Sequence, residues 1–147
     1  IQRADKLFAY QLAVVVDDIY QNVSHIIRGC DLLEPSVRQL SLYATFGHQP
    51  PTLGHIPLAI TDQGYKLSKQ NKAPAINKLT PHKVLIDALK FLGQNVDECL
   101  TDLSPEAIVT WAVEHFDFNA IPKQQEIALS RTINISPSFS YKYHSNL

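Results

Sequence analysis

Gly64-Tyr65-Lys66-Leu67-Ser68-Lys69-Gln70 sets two ammonium groups, Lys66 and Lys69, on either side of a hydroxyl, just beyond a glycine. Such a loop can bring Lys69 and neighbouring backbone N–H groups onto a polyphosphate, where they stabilise the charge that develops on a leaving pyrophosphate. From the residues alone the stretch reads first as a solvated, Lys-rich loop, because short Lys/Ser motifs are common. Its flanks decide what kind of fold presents it.

Upstream, Thr61-Asp62-Gln63-Gly64 reads as a turn and His55 to Ile60 as a short apolar strand leading into it. Pro50-Pro51 breaks the chain, and before that break Pro35 opens a helix through Phe46, stopped by Gly47, with Val37, Leu40, Tyr43 and Ala44 expected on its inner face. Val23 to Ile27 is a second strand, closed by Arg28-Gly29, so that a cation sits at the sheet edge where open α/β sheets bind ligands. Leu7 to Val16, rich in apolar and β-branched residues and ending in Asp17-Asp18, is expected to be a buried strand. Downstream the pattern becomes helical. Thr80-Pro81 starts one helix, with Val84, Leu85, Ala88, Leu89 and Leu92 at helical spacing until Gly93. Ser104-Pro105 starts another, with Ile108, Trp111, Ala112 and His115 along one side. Ser136 to Leu147 lacks periodicity and is expected to be a surface tail.

Composition bounds the function classes. With 147 residues, 45% of them apolar and 18% charged, the chain has enough apolar mass for a folded core and is no disordered segment. Its longest apolar run, Leu12 to Val16, is far short of the roughly 20 residues that span a bilayer. The opening Ile1-Gln2-Arg3-Ala4-Asp5-Lys6 lacks the apolar centre of a signal peptide and reads as a cut from something longer. Cys30 and Cys99 form no Cys-x-x-Cys pair, so reduced, buried thiols and a cytoplasmic location are expected. Net charge is −1, but Lys66, Lys69, Lys72, Lys78, Lys83 and Lys90 fall in one segment whose only acid is Asp87, a patch suited to a polyanion held at one place. His25, His48, His55, His82, His115 and His144 show no metal-ligand spacing and read as surface or packing histidines, so no metal ligand is expected.

Lys66-Leu67-Ser68-Lys69-Gln70 resembles the second signature of class I aminoacyl-tRNA synthetases, Lys-Met-Ser-Lys-Ser, with Leu67 and Gln70 as variants. Phe8 to Asp18, His25-Ile26-Ile27-Arg28-Gly29 and His55-Ile56-Pro57-Leu58 resemble the glutamate branch of that class in matching order, over about residues 7–92. Within the branch the sequence is most similar to the glutamyl-queuosine tRNA(Asp) synthetase family. Asn71-Lys72-Ala73-Pro74 follows the loop where glutamyl-tRNA synthetases usually continue with Arg, Leu32 stands where they commonly carry Trp, and the chain ends too soon after Gln70 for a large anticodon-binding region.

The resemblance implies an α/β fold: the C-terminal half of a class I synthetase Rossmann-like nucleotide-binding fold followed by a small α-helical subdomain. The expected divisions are 1–73, 74–135 and a tail from 136 to 147. It implies ATP-dependent activation of glutamate and transfer to the queuosine base of tRNA(Asp), with tRNA(Asp) bearing queuosine and L-glutamate as partners and neither membrane nor DNA. Tyr10 and Arg28 correspond to glutamate-binding positions, Lys66 and Lys69 to catalytic lysines, and Lys69 with Ser68 to ATP-binding positions. The residues themselves leave other roles open: Arg28 could pair with Asp31 or Asp17, and Tyr10 could simply pack. Mg2+ would accompany ATP, while the first class I signature and a Zn2+ site are expected in an N-terminal half that this sequence lacks, leaving the chain alone inactive. Two alternatives stand beside this reading: a fragment of a glutamyl-tRNA synthetase that charges tRNA(Glu), and a non-catalytic synthetase-like binding module.

Overall fold

A computed structural model describes residues 4–68, 75–76 and 78–129. These form two compact units, Ile1–Ile56 and Pro57–Leu147. The expected boundary between 73 and 74 and the tail from 136 lie outside the described residues.

The first unit runs α1 (Tyr10–Tyr20), β1 (His25–Gly29), a 3-10 turn (Cys30–Leu32), α2 (Leu33–Thr45) and β2 (Thr52–Ile56). Strands β1 and β2 pair in parallel from His25↔Thr52 to Gly29↔Ile56, so α2 is the crossover that a parallel pair requires. The stretch expected as a strand over Leu7 to Val16 is instead mostly helix α1. A short apolar run does not distinguish a buried strand from a buried helix. Here the deciding pattern lies in its polar members: Gln11, Leu12, Val14, Val15, Asp18 and Ile19 are the shielded positions, a helical spacing that leaves Val16 and Asp17 outside. Val15 is fully buried. Two polar pairs flank it, Gln39 Nε2 donating to Gln11 Oε1 at 2.6 Å and Tyr43 Oη donating to Asp18 Oδ2 at 3.1 Å.

The inner face of α2 also differs from expectation. Ser36, Gln39 and Tyr43 are buried, whereas Val37 and Leu40 are 63% and 38% exposed. Polar residues sit inside because each has a partner there, which removes most of the cost of burying them. Strand β1 starts two residues later than the apolar run suggested, so Arg28 belongs to the strand itself.

The second unit contains β3 (Leu58–Ile60), α3 (Pro81–Phe91), a 3-10 segment (Glu98–Asp102), α4 (Pro105–His115), a further 3-10 turn (Phe118–Ala120) and β4 (Glu126–Ala128). The apolar run His55 to Ile60 is therefore two strands rather than one, divided at Pro57, whose missing N–H interrupts a ladder. Strand β3 pairs in parallel with β4, which the sequence had not signalled. Helices α3 and α4 enclose a core of Ile86, Leu89, Leu100 and Ile108, with Val96, Trp111 and Phe116 packed against it.

Each helix ends as its sequence dictates. Gly93 adopts φ +74°, with its N–H on Lys90 O and the Gln94 N–H on Leu89 O, the paired bonds of a glycine-terminated helix. Ser104 Oγ accepts from the Ala107 N–H at 3.3 Å and caps α4, whereas Thr80 stands at the α3 cap position without a side-chain capping bond. Cys30 and Cys99 are free thiols, but Cys99 is exposed rather than buried. Among the described residues no helix is long and apolar enough to cross a membrane.

Candidate functional site

The C-terminal end of the β1–β2 pair gathers three side chains. Arg28 and His55 are register partners, so the pleat directs both to the same face. Ser36, in the first turns of α2, meets them there: Arg28 Nη2 donates to Ser36 Oγ at 2.6 Å, and His55 Nε2 lies 2.9 Å from the same oxygen. The Ser36 hydroxyl in turn donates to Leu32 O at 2.5 Å. Among the described residues the guanidinium is thus held by a buried hydroxyl.

Arg28 Nε is buried and has no hydrogen-bond partner among the described residues. A buried donor left unpaired costs about 1–3 kcal/mol, more when charged, so the position gains by binding an acceptor. The Tyr43 phenol feels the charge of this group. Burial first, then the Asp18 carboxylate and the bond donated to it, push its pKa up to about 12, while the positive charge of Arg28 opposes the shift. Tyr10 is the first residue of α1 and 67% exposed, and among the described residues no hydrogen bond joins it to Arg28.

The second cluster belongs to the second unit and is built on a tight hairpin. After β3, Thr61 N–H donates to Tyr65 O at 2.8 Å, Gly64 N–H donates to Thr61 O at 2.9 Å, and Thr61 Oγ1 accepts from the Tyr65 N–H at 3.2 Å. Gly64 carries φ +82°, a conformation that costs little only for glycine. The returning chain bridges Ile60 and Lys66 in antiparallel fashion, and Leu67 N–H reaches Ala59 O at 3.0 Å. Lys66 and Ser68 are therefore half-buried residues on a defined arm, not members of a loose surface loop. Lys69 and Gln70 lie outside the described residues.

Ser36 and His55 escaped the sequence reading. His55 looked like an ordinary packing histidine, and Ser36 is one hydroxyl in a helix. The signal that could have found them is their position: one at the start of a helix that follows Arg28-Gly29, the other at the end of the next strand. Asp17-Asp18, expected at a strand end, occupies the last turns of α1, where Asp17 faces outward and Asp18 serves Tyr43. Among the described residues no group of three or more His, Cys, Asp or Glu side chains is arranged to hold a metal ion.

Residues 1–101 match the family model of the catalytic domain of class I tRNA synthetases (E and Q). The chain is 55% identical over 132 residues to the glutamyl-Q tRNA(Asp) synthetase of Colwellia psychrerythraea, a match covering 86% of this chain and 42% of the relative. The protein of that name from Salmonella choleraesuis is 49% identical over 140 residues, covering 95% of this chain and 44% of the relative. The chain thus spans less than half the length of these relatives. Among solved structures, a glutamate-tRNA synthetase from Elizabethkingia anophelis superposes with a TM-score of 0.60 at 21% identity, covering 89% of this chain and 30% of that one, which speaks to fold alone.

Proposed function

The chain belongs to the catalytic-domain family of class I tRNA synthetases for glutamate and glutamine, and from that membership we propose that it is part of an enzyme that activates glutamate with ATP and transfers it to the queuosine base of tRNA(Asp). The observation that carries the choice of amino acid is Arg28, fixed through Nη2 with its buried Nε still lacking an acceptor. A planar guanidinium so held suits a carboxylate, at about 1.5–3 kcal/mol per charge-assisted bond. The choice of acceptor is supported by the name shared by the relatives at about half identity or above.

In this reading Arg28 and Tyr10 hold the substrate glutamate, and Lys66, Ser68 and Lys69 handle the phosphates of ATP. A glutamate carboxylate oxygen attacks the α-phosphorus, the bond to the bridging oxygen breaks, and pyrophosphate leaves with the electron pair. The lysines stabilise the charge that builds on it, and the protein contributes orientation rather than a covalent intermediate. A queuosine hydroxyl then displaces AMP from the acyl carbon. Mg2+ bound to ATP would offset part of the charge of its phosphates, beside Lys66 and Lys69. Lys72, Lys78 and Lys83 supply cations for the tRNA backbone, and the enzyme works in the cytoplasm.

The test uses the full-length gene product. Glutamate-dependent ATP–pyrophosphate exchange and glutamylation of queuosine-containing tRNA(Asp), but not of the same tRNA lacking queuosine, are the expected results. Charging of tRNA(Glu) with no need for queuosine overturns the acceptor assignment in favour of a glutamyl-tRNA synthetase. Absence of any exchange leaves a binding module as the better account.

A further inference from the structure

We infer that Ser36 and His55 are positioning residues that fix the Arg28 guanidinium for the substrate carboxylate, and so set glutamate affinity without touching the reacting atoms. The inference rests on the assignment of Arg28 to the glutamate site.

A serine hydroxyl has one proton and two lone pairs. Leu32 O can only accept, so the Ser36 proton is committed to it. Arg28 Nη2 can only donate, which fills one lone pair. His55 Nε2 must then donate into the other, and the imidazole is thereby fixed as the tautomer protonated at Nε2. Ser36 is 3% exposed, so no water competes readily for these places.

All three capacities of one buried oxygen are therefore used, and each partner comes from a different local element: the turn after β1, β1 itself and β2. The result is a rigid bracket. Removing the hydroxyl releases the guanidinium end at Nη2 and lets the ring of His55 turn. Removing His55 leaves a lone pair on Ser36 unfilled and loosens the same oxygen. Neither change takes away the positive charge of Arg28, so what is lost is direction, and directional loss falls on the ligand that needs a bidentate fit.

The experiment measures ATP–pyrophosphate exchange by the full-length gene product with glutamate and ATP varied separately. Ser36→Ala is expected to raise the KM for glutamate about tenfold while the KM for ATP stays within about twofold, and Ser36→Thr, which keeps the hydroxyl, to restore the glutamate KM to within about threefold. His55→Ala should raise the glutamate KM likewise, and His55→Gln, whose amide N–H can donate in place of Nε2, should recover most of it. A general packing defect would instead lower the active fraction without separating the two KM values. Nitrogen-15 spectra of the histidine rings in the same protein should show His55 protonated at Nε2, with the fixed tautomer lost in Ser36→Ala. An unchanged glutamate KM in both Ser36→Ala and His55→Ala, or a His55 ring protonated only at Nδ1, overturns the inference. Should Ser36→Ala not fold, the two His55 variants give the same comparison. A wild-type protein without glutamate-dependent exchange overturns the proposed function itself, a result no behaviour of the variants can imitate.

Discussion

Tyr43 shows how a single side chain can tie a helix pair to the candidate site. Its side chain is buried at 4% exposure, donates to Asp18, and feels the positive charge of Arg28. Its folded-state pKa, about 12, lies above the ordinary value of 10.0. A group raised in this way favours the folded state fully below its unfolded pKa, and that contribution is lost as pH climbs through the folded one. Stability should therefore fall between about pH 10 and 12 more steeply in the wild type than in Tyr43→Phe, as followed by circular dichroism across that window. Asp18→Asn keeps an acceptor but removes the negative charge, so it should bring the late phenolate absorbance of Tyr43 back toward 10. If every tyrosine of the wild type ionised near 10 with the fold intact, the account of this pair would be wrong. The place of Arg28 at a strand end before glycine was legible in the sequence, whereas its partner was not, since a carboxylate of Asp17 or Asp31 was as open to it as the Ser36 hydroxyl it meets. The burial of Tyr43 was legible from helical spacing, but its bond to Asp18 and the part played by Ser36 were not, since nothing in a lone hydroxyl or phenol announces which other element will come to meet it.

At the scale of elements, the second unit was legible where local chemistry governs. Proline at the first position of α3 and α4, Ser104 as a cap and Gly93 as a stop act through the backbone of their own helix, so the sequence alone locates them. The first unit was less legible because partners decide it. Three consecutive valines favour a strand locally, yet α1 is a helix whose Gln11 and Asp18 find Gln39 and Tyr43 on α2. Gly93 is required locally by its φ of +74° and also by a tertiary contact that no local pattern shows, since a Cβ there would meet the Ala120 carbonyl oxygen at 2.1 Å. Gly93→Ala should thus cost about 2 kcal/mol or more, beyond the strain of a left-handed residue alone, in denaturant unfolding. Ser104→Ala should cost about 1 kcal/mol. The same hydroxyl, after the backbone N–H of Glu106 itself, holds the Glu106 carboxyl below its usual range. A lowered carboxyl contributes above its unfolded pKa and loses that contribution as pH falls through the folded value. The deficit of Ser104→Ala should accordingly shrink in acid. A deficit that grew below the carboxylate range would contradict this description of the α4 cap.

Across the whole molecule the candidate residues divide by substrate: Tyr10 and Arg28 lie in the first unit, Lys66 and Ser68 in the second. The hairpin that carries the lysine was legible from Thr61 to Gly64, because that turn is a matter of four residues and one positive φ. The continuation through Lys69 lies outside the described residues, so its role rests on the signature it resembles. The division of labour yields its own prediction. Arg28→Lys preserves charge but loses the planar fork that matches a carboxylate, and a loss of about 1.5–3 kcal/mol corresponds to a rise in glutamate KM of roughly ten- to hundredfold. Lys66→Ala removes a cation proposed for the phosphates, where charge accumulates only as pyrophosphate departs, so it should lower kcat and leave the glutamate KM within about twofold. Because one change acts through glutamate and the other through ATP, the double variant should show the glutamate KM of Arg28→Lys and the kcat of Lys66→Ala together. Exchange kinetics of the full-length gene product decide the matter. If Lys66→Ala raised the glutamate KM as far as Arg28→Lys does, the hairpin lysine would have to serve the amino acid rather than ATP, and the assignment of the two clusters to two substrates would fall.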